Sequence, residues 1–263
     1  YSFEEGYNSA SQTYFGTGLY NYSYVLHDTY FLQAVKNTFL LVIITVPVST
    51  CLALLIALGL SSIRPLKEMF QTIYFLPYVT NTLAVGLVFM ILFKKTAYSN
   101  GMINMLLHWF GAGPVDFIDG PYWAKMFVLC FYTVWIVLPF KILILTSALA
   151  SVDQNLYKAA KVDGTSRMRI FTKITLPMIT SIAFFNIIMQ LITALQNFTS
   201  AFVVTNGGPN KATYVLGMKL YTDAFKYFKM GYACATSWIM FVVILIITLV
   251  LFATSKKWVY YDN

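Results

Sequence analysis

Long apolar runs alternate with short polar stretches along this chain, and charge is almost absent from the runs. Four windows contain no Asp, Glu, Lys or Arg: Asn37–Ile63, Met69–Phe93, Ile174–Asn210 and Met230–Ser255. Each exceeds the roughly 20 apolar residues that a helix needs to cross bilayer hydrocarbon. A fifth window, Met126–Phe140, is short. It continues past the single charge of Lys141 to Val152, so the pattern predicts a helix over Trp123–Leu149. Period-2 alternation is missing from all five, which argues against a transmembrane β-barrel. The expected elements are helix A at about 36–60, B at about 70–93, C at 123–149, D from Pro177 to about Val204, and E at about 233–254. Pro47, Pro77, Pro139 and Pro177 fall in these runs. Packed membrane helices tolerate proline, so kinks or helix starts are expected there, with a gating hinge as the sharper reading.

Composition supports the membrane reading. The chain is 59% hydrophobic and 11% charged, against roughly 25% charged in an average soluble domain. Cys51, Cys130 and Cys234 all sit in apolar runs and read as small packed hydrophobes. His27 and His108 are isolated, so neither a metal site nor a Ser-His-Asp or Cys-His nucleophile can be assembled. An enzyme reading has no residues to stand on. The net charge of +8 comes without a basic-aromatic reader motif, so nucleic acid is not an expected partner.

Lys and Arg give an orientation. Nine of the 18 basic residues lie in the short segments Ser61–Met69, Ser151–Leu176 and Thr254–Asn263; the first of these carries Arg64, Pro65 and Lys67. Eight lie in the much longer segments 1–36, 94–125 and 204–232. The higher density puts the first set in the cytoplasm and residue 1 outside. The expected parts are an outer segment 1–35, a transmembrane region 36–254 with a polar island at 151–176, and a cytoplasmic tail 255–263.

The island carries the most specific signal. Ser151 can cap a short helix, Asp153 in its first turn complements the helix dipole, and Gly164 is a plausible stop. Ala159 and Ala160 offer a small-residue face that could approach another protein closely. An ordinary basic loop against phospholipid is the plain alternative. Lys158-Ala159-Ala160, then Gly164, then Ile174-x-Leu176-Pro177 closely resemble the EAA-x3-G-x9-I-x-L-P signature of permease subunits in binding-protein-dependent ABC importers. Gly18-Leu19-x-Asn21-Tyr22, Asn37-Thr38, Leu76-Pro77, Gly101 with Asn104, Trp135, Thr205-Asn206-Gly207-Gly208-Pro209 and Gly231-Tyr232 resemble further positions of the carbohydrate branch. The likeness extends over nearly the whole chain and is nearest to the larger maltose-importer permease. Two departures stand out: Lys158 replaces the family Glu, and Thr165 replaces the usual Ala after Asp163-Gly164.

The resemblance implies an all-α polytopic type I ABC importer permease with five visible transmembrane helices and one more upstream. It implies a bacterial cytoplasmic membrane and an island that couples to an ATPase through Lys158, Ala159, Ala160, Asp163 and Gly164. Its implied partners are a second homologous permease, two ATPase subunits and an extracytoplasmic solute-binding protein. ATP and Mg would be bound by the ATPase, since this chain has no Gly-x4-Gly-Lys-Ser/Thr loop and no cofactor of its own is expected. The substrate would be a sugar or oligosaccharide. Glycerol phosphate, a polyol or a peptide is the alternative, and a scaffold subunit without a pathway is the alternative from another class.

On helix D, Asn186, Gln190, Thr193 and Asn197 have i, i+4, i+7, i+11 spacing, one helical face, with Gln196 beside it. Amides can donate to and accept from sugar hydroxyls; interhelical hydrogen bonding is the plainer use. The resemblance marks Gln190, Thr193, Ala194 and Asn197 as sugar-lining, with Thr133, Val137 and Phe140 on helix C. Tyr132 and Trp135 could stack on a sugar or simply pack. Lys141 is a cation at membrane depth, which reads as snorkelling, as paired inside the protein, or as selecting an anionic substrate.

Overall fold

The computed structural model describes residues 1–8, 11–63, 67–96 and 101–260. Arg64 and Pro65 of the expected A–B loop and the last three residues of the tail lie outside them. The short strands β1 (Glu4–Glu5) and β2 (Gly16–Thr17) pair antiparallel, Glu4 opposite Thr17. The other named elements among the described residues are helical: α1 (Tyr20–His27), α2 (Thr29–Ser62), α3 (Lys67–Val79), α4 (Thr82–Phe93), α5 (Met102–Trp109) and α6 (Tyr122–Ser151). Then come α7 (Gln154–Val162), α8 (Arg167–Ile170), a π-helical turn Phe171–Thr175, α9 (Leu176–Leu195), α10 (Thr199–Val204), α11 (Leu216–Tyr221) and α12 (Met230–Ser255). Thr29–Ser62, Tyr122–Ser151, Arg167–Leu195 and Met230–Ser255 are each long and apolar enough to cross a membrane, and α3 with α4 makes a fifth crossing when the pair counts as one span.

Three boundaries differ from the sequence expectation. Helix A begins at Thr29, because Asp28 Oδ1 accepts from the Tyr30 N–H at 3.0 Å and so caps the helix. Helix B is two helices. Asn81 starts the second by accepting from the Leu83 N–H at 2.9 Å. Helix D ends at Leu195, and Gln196–Phe198 separate it from α10. Upstream of it, Pro177 has no N–H for the Lys173 carbonyl and its ring crowds that carbonyl. The chain relaxes into the π turn, in which the Leu176 N–H reaches the Phe171 carbonyl.

The chain divides into two compact units. One comprises Tyr1–Thr45, Asn81–Thr133 and Ile192–Ile246; the other comprises Val46–Thr80, Val134–Leu191 and Ile247–Asn263. The first is built on rings: Phe89, Phe93, Phe117, Phe127, Phe131 and Tyr132 form a chain of stacked and edge-on contacts. Its α4 lies so near α10 that a Cβ on Gly86 would sit 2.5 Å from Val203. The second is built on small residues. Ala53, Ala57 and Leu60 make one stripe of α2, against Ile142, Leu145, Ala148 and Leu149 of α6. Alanine at such a seam lets helix backbones approach, which is how helices associate where hydrocarbon surrounds them.

Candidate functional site

The expected coupling residues form one small, complete device in the second unit. Asp153, not Ser151, caps α7: its side chain accepts from the Asn155 N–H at 2.9 Å. Ser151 instead closes α6, its hydroxyl donating to the Ala148 carbonyl. At the other end Gly164 has φ +67, with the Gly164 N–H on the Lys161 carbonyl and the Thr165 N–H on the Ala160 carbonyl. This is the paired-bond stop that favours glycine, because an L side chain resists that φ. Ala160 is buried, and the half-buried Tyr157 shares a hydrogen bond with Thr175 at 3.1 Å. Lys158, Ala159 and Asp163 face outward beside Val162, which is 88% exposed. One side of α7 is thus seated and the other offers Ala159 and Val162 among the charges of Lys158, Lys161 and Asp163.

At membrane depth the same unit holds a polar network. Lys141 is 2% exposed. Its ammonium donates to Ser49 Oγ at 3.1 Å and Thr50 Oγ1 at 2.6 Å, and Ser49 Oγ donates on to Gln190 Oε1 at 2.8 Å. Among the described residues no carboxylate lies within ion-pair distance of it. Lys141 thus ties α6 to α2, and Ser49 ties α2 on to α9. Ser49 and Thr50 were invisible to the sequence reading because they look like ordinary small polar residues in an apolar run. Phe140, next to Lys141, is partly exposed and stacks on Tyr78, 5.4 Å between centroids. Val137 is half-buried, and Asn186 is buried with its amide on the Ile182 carbonyl of its own helix.

The remaining marked residues belong to the first unit. Thr133 is buried and donates to the Leu129 carbonyl. Thr193 is exposed and Ala194 buried. Asn197 does not continue the Asn186–Gln190–Thr193 face, since the helix has already stopped. It sits in the break, its amide donating to Ser200 Oγ at 3.2 Å, while its buried Oδ1 finds no partner among the described residues.

The other motif residues of this unit prove to be fasteners. The Asn37 amide donates to the Ala212 and Tyr214 carbonyls and its oxygen accepts from the Tyr122 hydroxyl; Thr38 accepts from the Leu216 N–H. Asn104 exchanges two bonds with the Val115 backbone. Asn21 donates to the Ser2 and Glu4 carbonyls, and a Cβ on Gly231 would meet the Asn21 amide at 2.7 Å. A buried ion group joins them: Lys219 lies 2.8 Å from Asp28 and 2.6 Å from Asp223. Burial works to raise the Asp28 pKa, but hydrogen bonds from Lys219 and the Tyr30 N–H outweigh it and hold the carboxyl below its usual range. For Lys219, burial is likewise outweighed by both carboxylates and the pKa rises.

Comparison with known proteins converges on one family. The profile described as "Binding-protein-dependent transport system inner membrane component" matches residues 49–259. A Bacillus subtilis protein named as a probable ABC transporter permease, YesP, is 35% identical over 240 residues, 90% of this chain and 76% of its own. The sulfoquinovosyl glycerol transport system permease SmoG of Agrobacterium fabrum is 30% identical over 237 residues, 89% of this chain and 74% of its own. The fold matches a chain of a bacterial alginate ABC transporter with TM-score 0.80 at 24% identity, covering 91% of this chain and 83% of that one. With its apolar spans, its capped island and its match over most of its length, the chain belongs to the inner-membrane permease subunits of binding-protein-dependent ABC transport systems, with the type I importer fold.

Proposed function

We propose that this permease carries a sugar or oligosaccharide into the cell, and that α7 is where ATP hydrolysis in a separate subunit is converted into movement. The single observation that carries the coupling role is the geometry of α7: capped at both ends, seated by Ala160 and Tyr157, and exposing Ala159 and Val162. A loop that merely connected two spans would have no need of a rigid helix that holds Ala159 and Val162 exposed among charged groups. The sugar class rests on the names of the relatives and on the resemblance of the sequence.

The assembly would comprise this chain, a second homologous permease, two ATPase subunits that bind ATP and Mg, and an extracytoplasmic binding protein. In it 1–35 faces outward, 151–176 faces the cytoplasm, and 255–263 forms a cytoplasmic tail. Gln190, Thr193, Ala194, Asn197, Thr133, Val137 and Phe140 meet the solute in this reading. Lys141 would meet an anionic solute only after releasing Ser49 and Thr50. Alternating access of a mid-membrane site is the expected mechanism. The test is uptake by the assembled complex in vesicles, with binding protein and radiolabelled sugars. ATP-dependent accumulation supports the reading, and a complex that assembles and hydrolyses ATP yet moves no sugar refutes it.

A further inference from the structure

The first unit holds a cavity of about 800 Å³ where the N-terminal segment meets the approach to α12, lined by Tyr7, Asn8, Phe228, Lys229 and Tyr232. Its backbone shows that it is built. Phe228 adopts the left-handed region, φ +55, and the residue is 64% exposed. A bulky residue held there without burial in return points to function. The surrounding turn is anchored to sustain it. Asp223 sits in the buried ion group with Lys219, and its carbonyl accepts from the Lys229 N–H at 2.8 Å, while the Thr222 carbonyl accepts from the Tyr227 N–H at 2.9 Å.

The rings are preset as well. Tyr232 is stacked on Tyr24 at 4.2 Å and 11°, and Tyr7 lies 4.4 Å from Tyr1. The Asn8 N–H is fixed on the Thr13 carbonyl, and the Lys229 ammonium lies 5.5 Å over the Tyr232 ring. Among the described residues that line it there is no carboxylate. Aromatic faces suit the C–H face of a pyranose, an amide suits its hydroxyls, and a lone ammonium suits an acidic substituent.

We propose that this cavity is a carbohydrate subsite for the end of an acidic oligosaccharide, on the face that the topology above puts outside. The proposal rests on the importer reading for its sense, but not for its measurement. The complete permease complex, without binding protein, is titrated with trigalacturonate and with neutral maltotriose, followed by saturation-transfer NMR. Trigalacturonate should bind at least 5-fold more tightly at low salt, and Lys229→Gln should bring the two sugars level. Phe228→Gly relieves the backbone, so Tm should hold or rise while trigalacturonate binding falls at least 5-fold. Absence of binding by either sugar, or unchanged affinity in both variants, overturns the subsite. So does a result in which the variants keep sugar binding and lose affinity for the binding protein, which would make the cavity a protein-docking surface. ATP-driven uptake is measured separately. Uptake without cavity binding removes the subsite alone, and cavity binding without uptake of any sugar removes the importer reading alone.

Discussion

An ammonium at the centre of a membrane helix costs about 2.5–3.5 kcal/mol on insertion scales, and Lys141 meets that cost with two hydroxyls. Both accept from the ammonium and direct their own protons elsewhere, since Ser49 and Thr50 donate to the Val46 carbonyl. Lys141→Met therefore leaves no orphaned donor and fills a similar volume with apolar atoms. The expected result is a Tm equal to or above wild type in the purified complex, as when buried ionic groups elsewhere are replaced by apolar ones. The same variant tests the anion reading: a fall in anionic over neutral uptake places Lys141 in the pathway, and an unchanged ratio confines it to tying α6 to α2. Asp28→Asn behaves differently, because it takes one of two carboxylates from a buried Lys219. A loss of roughly 1–3 kcal/mol is expected, the range for a weakened buried polar contact. The pH dependence has a definite sign. Asp28 has a lowered pKa, so its contribution is present above its unfolded value near 3.8 and lost as pH falls through the lowered one. Lys219 has a raised pKa, so its contribution is present below 10.5 and lost as pH rises through the raised one. Thermal melts should show Asp28→Asn closing its gap to wild type on the acid side; a constant gap down to the lowest pH at which the fold survives would exclude the ion pair as the cause.

At the scale of elements, α7 shows what a single glycine fixes. Nothing lies within 4 Å of a Cβ built on Gly164, so its requirement is conformational alone. Gly164→Ala should cost about 1–2 kcal/mol through the left-handed φ, and Gly164→Asn less. Gly164→Pro should remove the N–H that reaches Lys161 and splay the end of the helix, lowering binding-protein-stimulated ATPase several-fold while the spans stay folded by circular dichroism. Normal stimulated ATPase in Gly164→Pro would end the coupling role. The helix and its glycine stop were legible in the sequence because both are local chemistry; the cap was not, since Ser151 and Asp153 each suit that role and the structure gives it to Asp153. The breaks in helices B and D were not. Apolar runs carry no charge to mark where a helix pauses, and the signals present, Asn81 as a cap and Gln196-Asn197 as a pause, also occur inside intact spans. The Asn37 bonds to Ala212 and Tyr214 and the Lys141 bonds to Ser49 and Thr50 bridge distant parts of the chain, and no periodicity reveals a partner across such a distance.

For the whole molecule, the number of crossings is the open physical question that labelling can decide. Between Phe15 and Val162 the chain runs through α2, the α3–α4 pair and α6. If the pair crosses, three spans separate the two residues and they emerge on opposite sides; if it re-enters on one side, only two do and the residues share a side. The density of Lys and Arg and the outward face of α7 both favour the crossing. Phe15 is 95% exposed and Val162 88%, so a cysteine at either is reachable by reagent. The native thiols must first go: Cys51 is exposed and Cys234 partly so, while Cys130 is buried, and alanine suits each small site. In this background a membrane-impermeant maleimide should modify Phe15→Cys in intact spheroplasts and Val162→Cys only after the membrane is opened. Asn210→Cys supplies the control, because one span, Arg167–Leu195, separates it from Val162 whichever way the pair lies. It should therefore label with Phe15→Cys. Labelling of Phe15→Cys and Val162→Cys from the same side, with Asn210→Cys opposite, would make α3–α4 re-entrant and leave four crossings among the described residues.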